Sequence, residues 1–158
     1  MKVDHHHYID YACKLAVENV NSGKGGPFGA VIVRDGEIIG QGTNLVTSLH
    51  DPTAHAEIQA IRDATSNLGH FELKDCIIYS SCEPCPMCLG AIYWARPKAL
   101  YFAYTKKDAA AIGFDDDFIY QEIGKPYEKR KIHTVQLRDK ETSDPMKAWM
   151  EKEDRAEY

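Results

Sequence analysis

No apolar run in the 158-residue chain approaches the roughly 18 residues that a membrane-crossing helix needs. The first ten residues, MKVDHHHYID, also lack the apolar core of an export signal. These absences exclude a membrane partner and lead to the expectation of a cytoplasmic location. Excess positive charge is missing as well: 19 Lys and Arg stand against 24 Asp and Glu, a net charge of −5. A protein built mainly to grip nucleic acid is thereby disfavoured, because phosphate binding depends on clustered cations. There is no internal repeat, low-complexity tract or dividing linker, so one domain spanning residues 1–158 is expected. A chain of this length buries about 70% of its unfolded surface and needs no staple to hold a core.

Five cysteines are present, an odd number, and three of them crowd into Cys82-Glu-Pro-Cys85-Pro-Met-Cys88. In a reducing compartment such crowding reads as metal or redox chemistry and not as a disulfide framework. Cys13 and Cys76 stand apart inside apolar patterns and read as ordinary buried thiols.

The periodicity alternates between helix and strand. Ile9, Cys13, Ala16 and Val20 form a helical stripe that ends at the Gly23–Pro27 breaker. Two β-rich runs, Phe28 to Val33 and Ile38 to Thr43, flank Asp35-Gly36, a strong hairpin signal. Asn44 to Pro52 reads as a polar loop, and Ile58, Ile61, Thr65 and Leu68 as a second helical stripe stopped by Gly69. Next come a buried strand (Cys76 to Ser81), a helix (Pro86 to Arg96) and another strand (Ala99 to Tyr104), an order that predicts a right-handed crossover and a parallel pair. Lys107 to Gly124 reads as short helical pieces, His133 to Leu137 as an edge strand, and Asp144-Pro145 as the opening of a last helix. The expected fold is α/β, with a mixed five-stranded sheet between helical layers.

The strongest chemical signal joins His55-Ala-Glu57, at the start of one helix, to Pro84-Cys85-Pro86-Met-Cys88, at the start of another. Each half is weak alone; together, at two strand-to-helix junctions, they are specific. Pro86 suits a first helical turn, which puts Cys85 at the cap and Cys88 one turn in, where the helix end favours thiolates. His55 adds an imidazole. Three such ligands leave a zinc ion one open position, the arrangement of a catalytic centre, where bound water ionises near neutral pH. His55 and Glu57 would stand about 200° apart in a regular helix, so the pair works only if the metal lies beyond the helix N-terminus. His55 then binds it while Glu57 reaches the water as general acid and base. Cys82 repeats the C-x-x-C spacing and would close the shell, turning the site structural; a redox dithiol is a further alternative. His5-His6-His7 reads as solvated surface or a tag remnant, and His50, His70 and His133 receive no role. Asp115-Asp116-Asp117 reads either as a solvated turn or as a source of an active-site acid.

Pro27-Phe-Gly-Ala30, His55-Ala-Glu57 and Glu83-Pro-Cys-Pro-Met-Cys88 resemble the cytidine-deaminase-like zinc hydrolases, which carry these motifs on a three-layer α/β/α sandwich. Within that superfamily Asn44, Asp51-Pro-Thr-Ala-His55, Leu89 to Pro97, Gly113 to Asp116 and Glu157-Tyr158 resemble the bacterial guanine deaminases. The resemblance implies Zn2+ on His55, Cys85 and Cys88, with Glu57 shuttling protons. It implies a purine base held by Phe28, Ala30, Asn44, Trp94 and Asp115, and a proton passed to the leaving amine by an acid, Asp116 foremost. It also implies a homodimer in which the segment from about 140 to 158 closes an active site, with Tyr158 reaching the purine. The expected reaction is deamination of guanine to xanthine and ammonia. The alternatives are a deaminase of a related nucleoside or aminated heterocycle, a tRNA adenosine deaminase, and a zinc-stabilised binding domain without catalysis. The four acids and two bases of the last eight residues weigh against the tRNA enzyme.

Overall fold

The computed structural model describes residues 3–158, which fall into two compact units, Met1–Asp117 and Phe118–Tyr158. The first carries the sheet. Its elements are α1 (His5–Asn21), β1 (Gly29–Arg34), β2 (Glu37–Thr43), α2 (Val46–Leu49), α3 (Ala56–Leu68), β3 (Ile77–Cys82), α4 (Pro86–Ala95), β4 (Ala99–Tyr104) and α5 (Lys106–Ala111). The strands lie in the order β2-β1-β3-β4, antiparallel except for the β3/β4 pair. The predicted crossover through α4 is therefore present.

Alternation along the strands sends successive side chains to opposite faces and so makes two cores. Ala30, Ile32 and Ile78 meet Ala56, Ala60, Ala64 of α3 and Ile92, Ala95 of α4 on one face. Val31, Val33, Ile77 and Tyr79 meet Tyr8, Ile9, Tyr11 and Leu15 of α1 on the other. Each fully buried Ile or Val contributes about 1.5–3 kcal/mol. The cytidine-deaminase-like α/β architecture is thus as expected, with a sheet of four strands and not five. His133 to Leu137 forms no strand: the alternation finds no partner strand, and Val135 and Leu137 are exposed.

Two helical stripes match expectation only in part: Ile9, Ala16, Ile61 and Leu68 pack on the core, but the most buried positions lie elsewhere. On α1 the buried positions are Ala12, Ala16 and Asn19, while Val20 is exposed. On α3 they are Ala56, Glu57, Ala60 and Ala64. For α1 the reason lies in β1, where a Cβ on Gly29 would stand 2.3 Å from the Ala12 carbonyl oxygen; for α3 it lies in β2, where a Cβ on Gly42 would stand 2.3 Å from the Ala56 carbonyl oxygen and one on Gly40 would stand 2.6 Å from Ala64 Cβ. Backbone meets backbone there, and only alanines fit beneath. The helix starts at His5, which is half-buried: Nδ1 lies 2.8 Å from Tyr79 Oη, and the ring stacks on Tyr101 at 4.2 Å. His5 is therefore a packed residue, unlike exposed His6 and His7. A short helix, α2, also interrupts the loop expected over residues 44–52.

In the second unit, α6 (Asp117–Ile123) is followed by a 3-10 turn at Tyr127–Lys129 and by α7 (Pro145–Glu151). The Glu122 carboxylate accepts from the Lys131 amide at 2.8 Å and pairs with Lys125. As predicted, Asp144 caps the last helix, accepting from the Lys147 amide at 3.0 Å. No residue of Phe118–Tyr158 is fully buried.

Candidate active site

The ends of two helices build the site at the carboxyl end of β3. Ahead of α3, Asp51 accepts from the Thr53 amide at 2.8 Å and its hydroxyl at 2.7 Å, and these bonds hold the Asp51 carboxyl below its ordinary pKa. The turn that results is pinned to the preceding loop by a bond from the Leu45 amide to the Ala54 carbonyl at 2.9 Å. His55 then falls at the N-cap with extended backbone, and Glu57 falls in the first helical turn. This solves the angular problem of the His-x-Glu pair. His55 stands before the helix begins and is not bound to its period.

On the other side, Cys85 is the N-cap of α4 and Pro86 opens its first turn. The Cys88 amide donates to Cys85 Sγ at 3.5 Å, and each of the two Sγ atoms lies 3.5 Å from His55 Nδ1. Among the described residues, His55, Cys85 and Cys88 are the group able to hold a metal, their ligand atoms lying within 4.8 Å of one another. Tetrahedral zinc with ordinary bond lengths sets nitrogen and sulfur about 3.6 Å apart. The residues fit zinc by geometry as well as by donor chemistry.

The electrostatics agree with a thiolate site. Cys85 is lowered to about 4, chiefly because the Cys88 side chain donates to it, with His55 helping, against the cost of burial. Cys88 is driven upward by the charge-bearing Cys85 beside it and by burial, so without metal the pair holds a single negative charge. The hydrogen bond to Cys85 raises His55. Glu57 is buried, which pushes its carboxyl above the usual range; Ser80 Oγ donates to its Oε1 at 3.2 Å. Cys82 stands outside the cluster. Its Sγ lies 3.7 Å from the Thr105 carbonyl oxygen and burial raises the thiol to about 11; among the described residues the cluster able to hold a metal does not include it.

Asp116 is half-buried and is raised first by burial and next by the Cys85 charge, which puts it within the electrical reach of the cluster. Asp115 is exposed and caps the Asp117 amide at 3.0 Å. Phe28 meets Phe114 edge to face, ring centres 4.9 Å apart. Asn44 is buried; its amide donates to the Phe28 carbonyl at 3.2 Å, and its Oδ1 accepts from Val46. Ala30 is fully buried in β1 between Gly42 and Ser80. Trp94 is exposed on α4, about 9 Å along the axis from Cys88 and on another side of the helix. Tyr158 is exposed in the second unit.

Three positioning residues carry no signal in the sequence alone. Buried Asn19 donates through Nδ2 to the carbonyls of Gly26 at 2.9 Å and Asn44 at 2.8 Å, tying together the two loops that hold Phe28 and Asn44. Ser81 Oγ accepts from the Gly29 amide at 3.0 Å. Ser80 bonds Glu57.

Residues 2–104 match the family model described as the cytidine and deoxycytidylate deaminase zinc-binding region. The chain belongs to this deaminase family. Within it, the guanine deaminase of Bacillus subtilis is 56% identical over 156 residues, 99% of this chain and 100% of the relative. The X-ray structure of that deaminase superimposes with a TM-score of 0.96 over 99% of both chains. A guanine deaminase from Nitrosomonas europaea aligns at 31% identity with a TM-score of 0.67, over 73% of this chain and 66% of that one. A structure of a tRNA:A34 deaminase aligns at 38% identity with a TM-score of 0.61, over 63% of this chain and 72% of that one. Zinc is the metal of this deaminase family's region, and His55, Cys85 and Cys88 are the deaminase residues that fit it.

Proposed function

We propose that this protein deaminates guanine hydrolytically, giving xanthine and ammonia. The observation that carries the reading is likeness over the whole chain, second unit included, to a guanine deaminase. The tRNA adenosine deaminases align with a smaller part, as with the Haemophilus influenzae enzyme, 44% identical over 58% of this chain and 56% of the relative. The net charge of −5 also disfavours a tRNA ligand.

Zinc on His55, Cys85 and Cys88 supplies Lewis acidity that makes water a nucleophile near neutral pH. Glu57, buried beside that position, takes the proton of the attacking water and delivers it to the ring nitrogen next to C2. Oxygen bonds to C2, the bond from C2 to the exocyclic nitrogen breaks, and ammonia leaves with a second proton. The role of passing that proton to the amine is assigned to Asp116, whose raised pKa reflects burial and the charge of Cys85. Asn44, Phe28 and the Ala30 backbone hold the purine, with Asp115 and Trp94 as further contacts.

A homodimer in which the segment from about 140 to 158 closes a site, with Tyr158 on the purine, belongs to the same reading and rests on the likeness to guanine deaminases. Among the described residues no helix is long and apolar enough to cross a membrane. The deciding experiment is ammonia release by zinc-loaded protein offered guanine, cytidine and adenosine. Release from guanine is expected; release from cytidine or adenosine alone overturns the substrate.

A further inference from the structure

We propose that Ser80 is a positioning residue that holds the Glu57 carboxylate in its working orientation, an inference that rests on the reading of Glu57 as proton shuttle. Ser80 lies on β3 two residues beyond Ile78, so alternation sends its side chain to the same face, toward α3 and α4. It is 1% exposed, and its partner on β1 is Ala30, whose small side chain leaves room for a carboxylate. A hydroxyl buried on the face that carries this apolar core is costly unless it is bonded.

Two bonds fix it. The Cys82 amide donates to Ser80 Oγ at 3.4 Å, and Oγ lies 3.2 Å from Glu57 Oε1. Because the amide occupies an oxygen lone pair, the hydroxyl proton is free to point at the carboxylate. Glu57 has three rotatable bonds, and a shuttle must meet both water and purine. A displacement of about 1 Å in such a group can cost about a hundredfold in rate. Cys82 thus acquires a role through its backbone: its amide, at the end of β3, sets the direction of the hydroxyl that sets the carboxylate.

The test compares Ser80→Ala with the unaltered protein, both zinc-loaded, by crystallography and by turnover. The expected results are a Glu57 carboxylate turned from its original position, about one zinc per chain, kcat lower by about tenfold or more, and KM within about twofold. In a Glu57→Gln background, where no shuttle remains to be aimed, Ser80→Ala should slow the residual reaction less than about twofold. A carboxylate that stays in place, equal slowing in both backgrounds, or lost zinc overturns the proposal. If the unaltered protein releases no ammonia from guanine, the functional reading falls, while the two carboxylate positions still decide the role of Ser80.

Discussion

The two faces of the sheet differ in how much of their packing is backbone against backbone. Against α3, the strands offer Gly40 and Gly42 and the helix offers Ala56, Ala60 and Ala64, so backbones approach to contact. Against α1 the close approach is confined to Gly29, whose Cβ would stand 2.3 Å from the Ala12 carbonyl oxygen, while Val31, Val33 and Tyr79 interdigitate with Tyr8, Ile9, Tyr11 and Leu15. Large side chains tolerate small shifts by changing rotamer, whereas backbone against backbone has no such slack. The chemistry stands on the face with the less slack, two glycines against one. The position of His55 at the start of α3 is set by how that helix sits on two glycines, and a site whose ligands must meet within 4.8 Å needs that rigidity.

Removing a ligand should have the largest effect. Cys88→Ala is expected to lose zinc, measured by metal analysis, and with it all ammonia release. Next comes Glu57→Gln, which should keep one zinc per chain and lower kcat by about 10²–10⁴-fold. A variant that turns over normally would remove Glu57 from the mechanism. Gly42→Ala attacks the packing of the chemical face directly, since its Cβ would stand 2.3 Å from the Ala56 carbonyl. An overpacking cost of about 1–3 kcal/mol is expected, seen as a lower Tm, together with a drop in kcat as α3 is pushed away. If Gly42→Ala lost stability and kept full activity, the contrast between the faces would be broken.

The smallest expected effect lies on the α1 face. Burial raises Tyr79 to about 12, with Tyr101 and Tyr8 adding to the shift. Since the folded value lies above the unfolded one near 10, the stability linked to this group is complete below pH 10 and is lost as pH rises toward 12. Tyr79→Phe should remove the last step of the phenolate absorbance titration, cost about 1 kcal/mol through the lost bond to His5, and leave kcat unchanged.

The metal cluster was legible because it depends on local signals: a histidine cap, a proline in a first turn and cysteines one turn apart. Sheet order through β3, α4 and β4 was legible for the same reason. The α1 and α3 stripes were legible in part, through Ile9, Ala16, Ile61 and Leu68, whereas Ala12 and Ala60 were missed because hydrophobicity ranks Val20 and Ile58 above them, while the closest approach is decided by Gly29 of β1 and Gly42 of β2. His133 to Leu137 shows the converse, since alternation without a partner makes no strand. Asn19 and Ser80 were silent because each acts on residues between 7 and 25 positions away, a relation that exists only after folding.

The arrangement of Cys85 and Cys88 also bears on how the protein must be handled. Without a metal, Cys85 at the N-cap of α4, its thiol pKa lowered by the bond from Cys88, stands one helical turn from the Cys88 thiol. That is the reacting pair of an intramolecular disulfide, formed in air by any mild oxidant. Metal-free stocks should therefore lose two free thiols on storage and refuse added zinc until a reductant is supplied, while Cys82, at about 11, stays reduced.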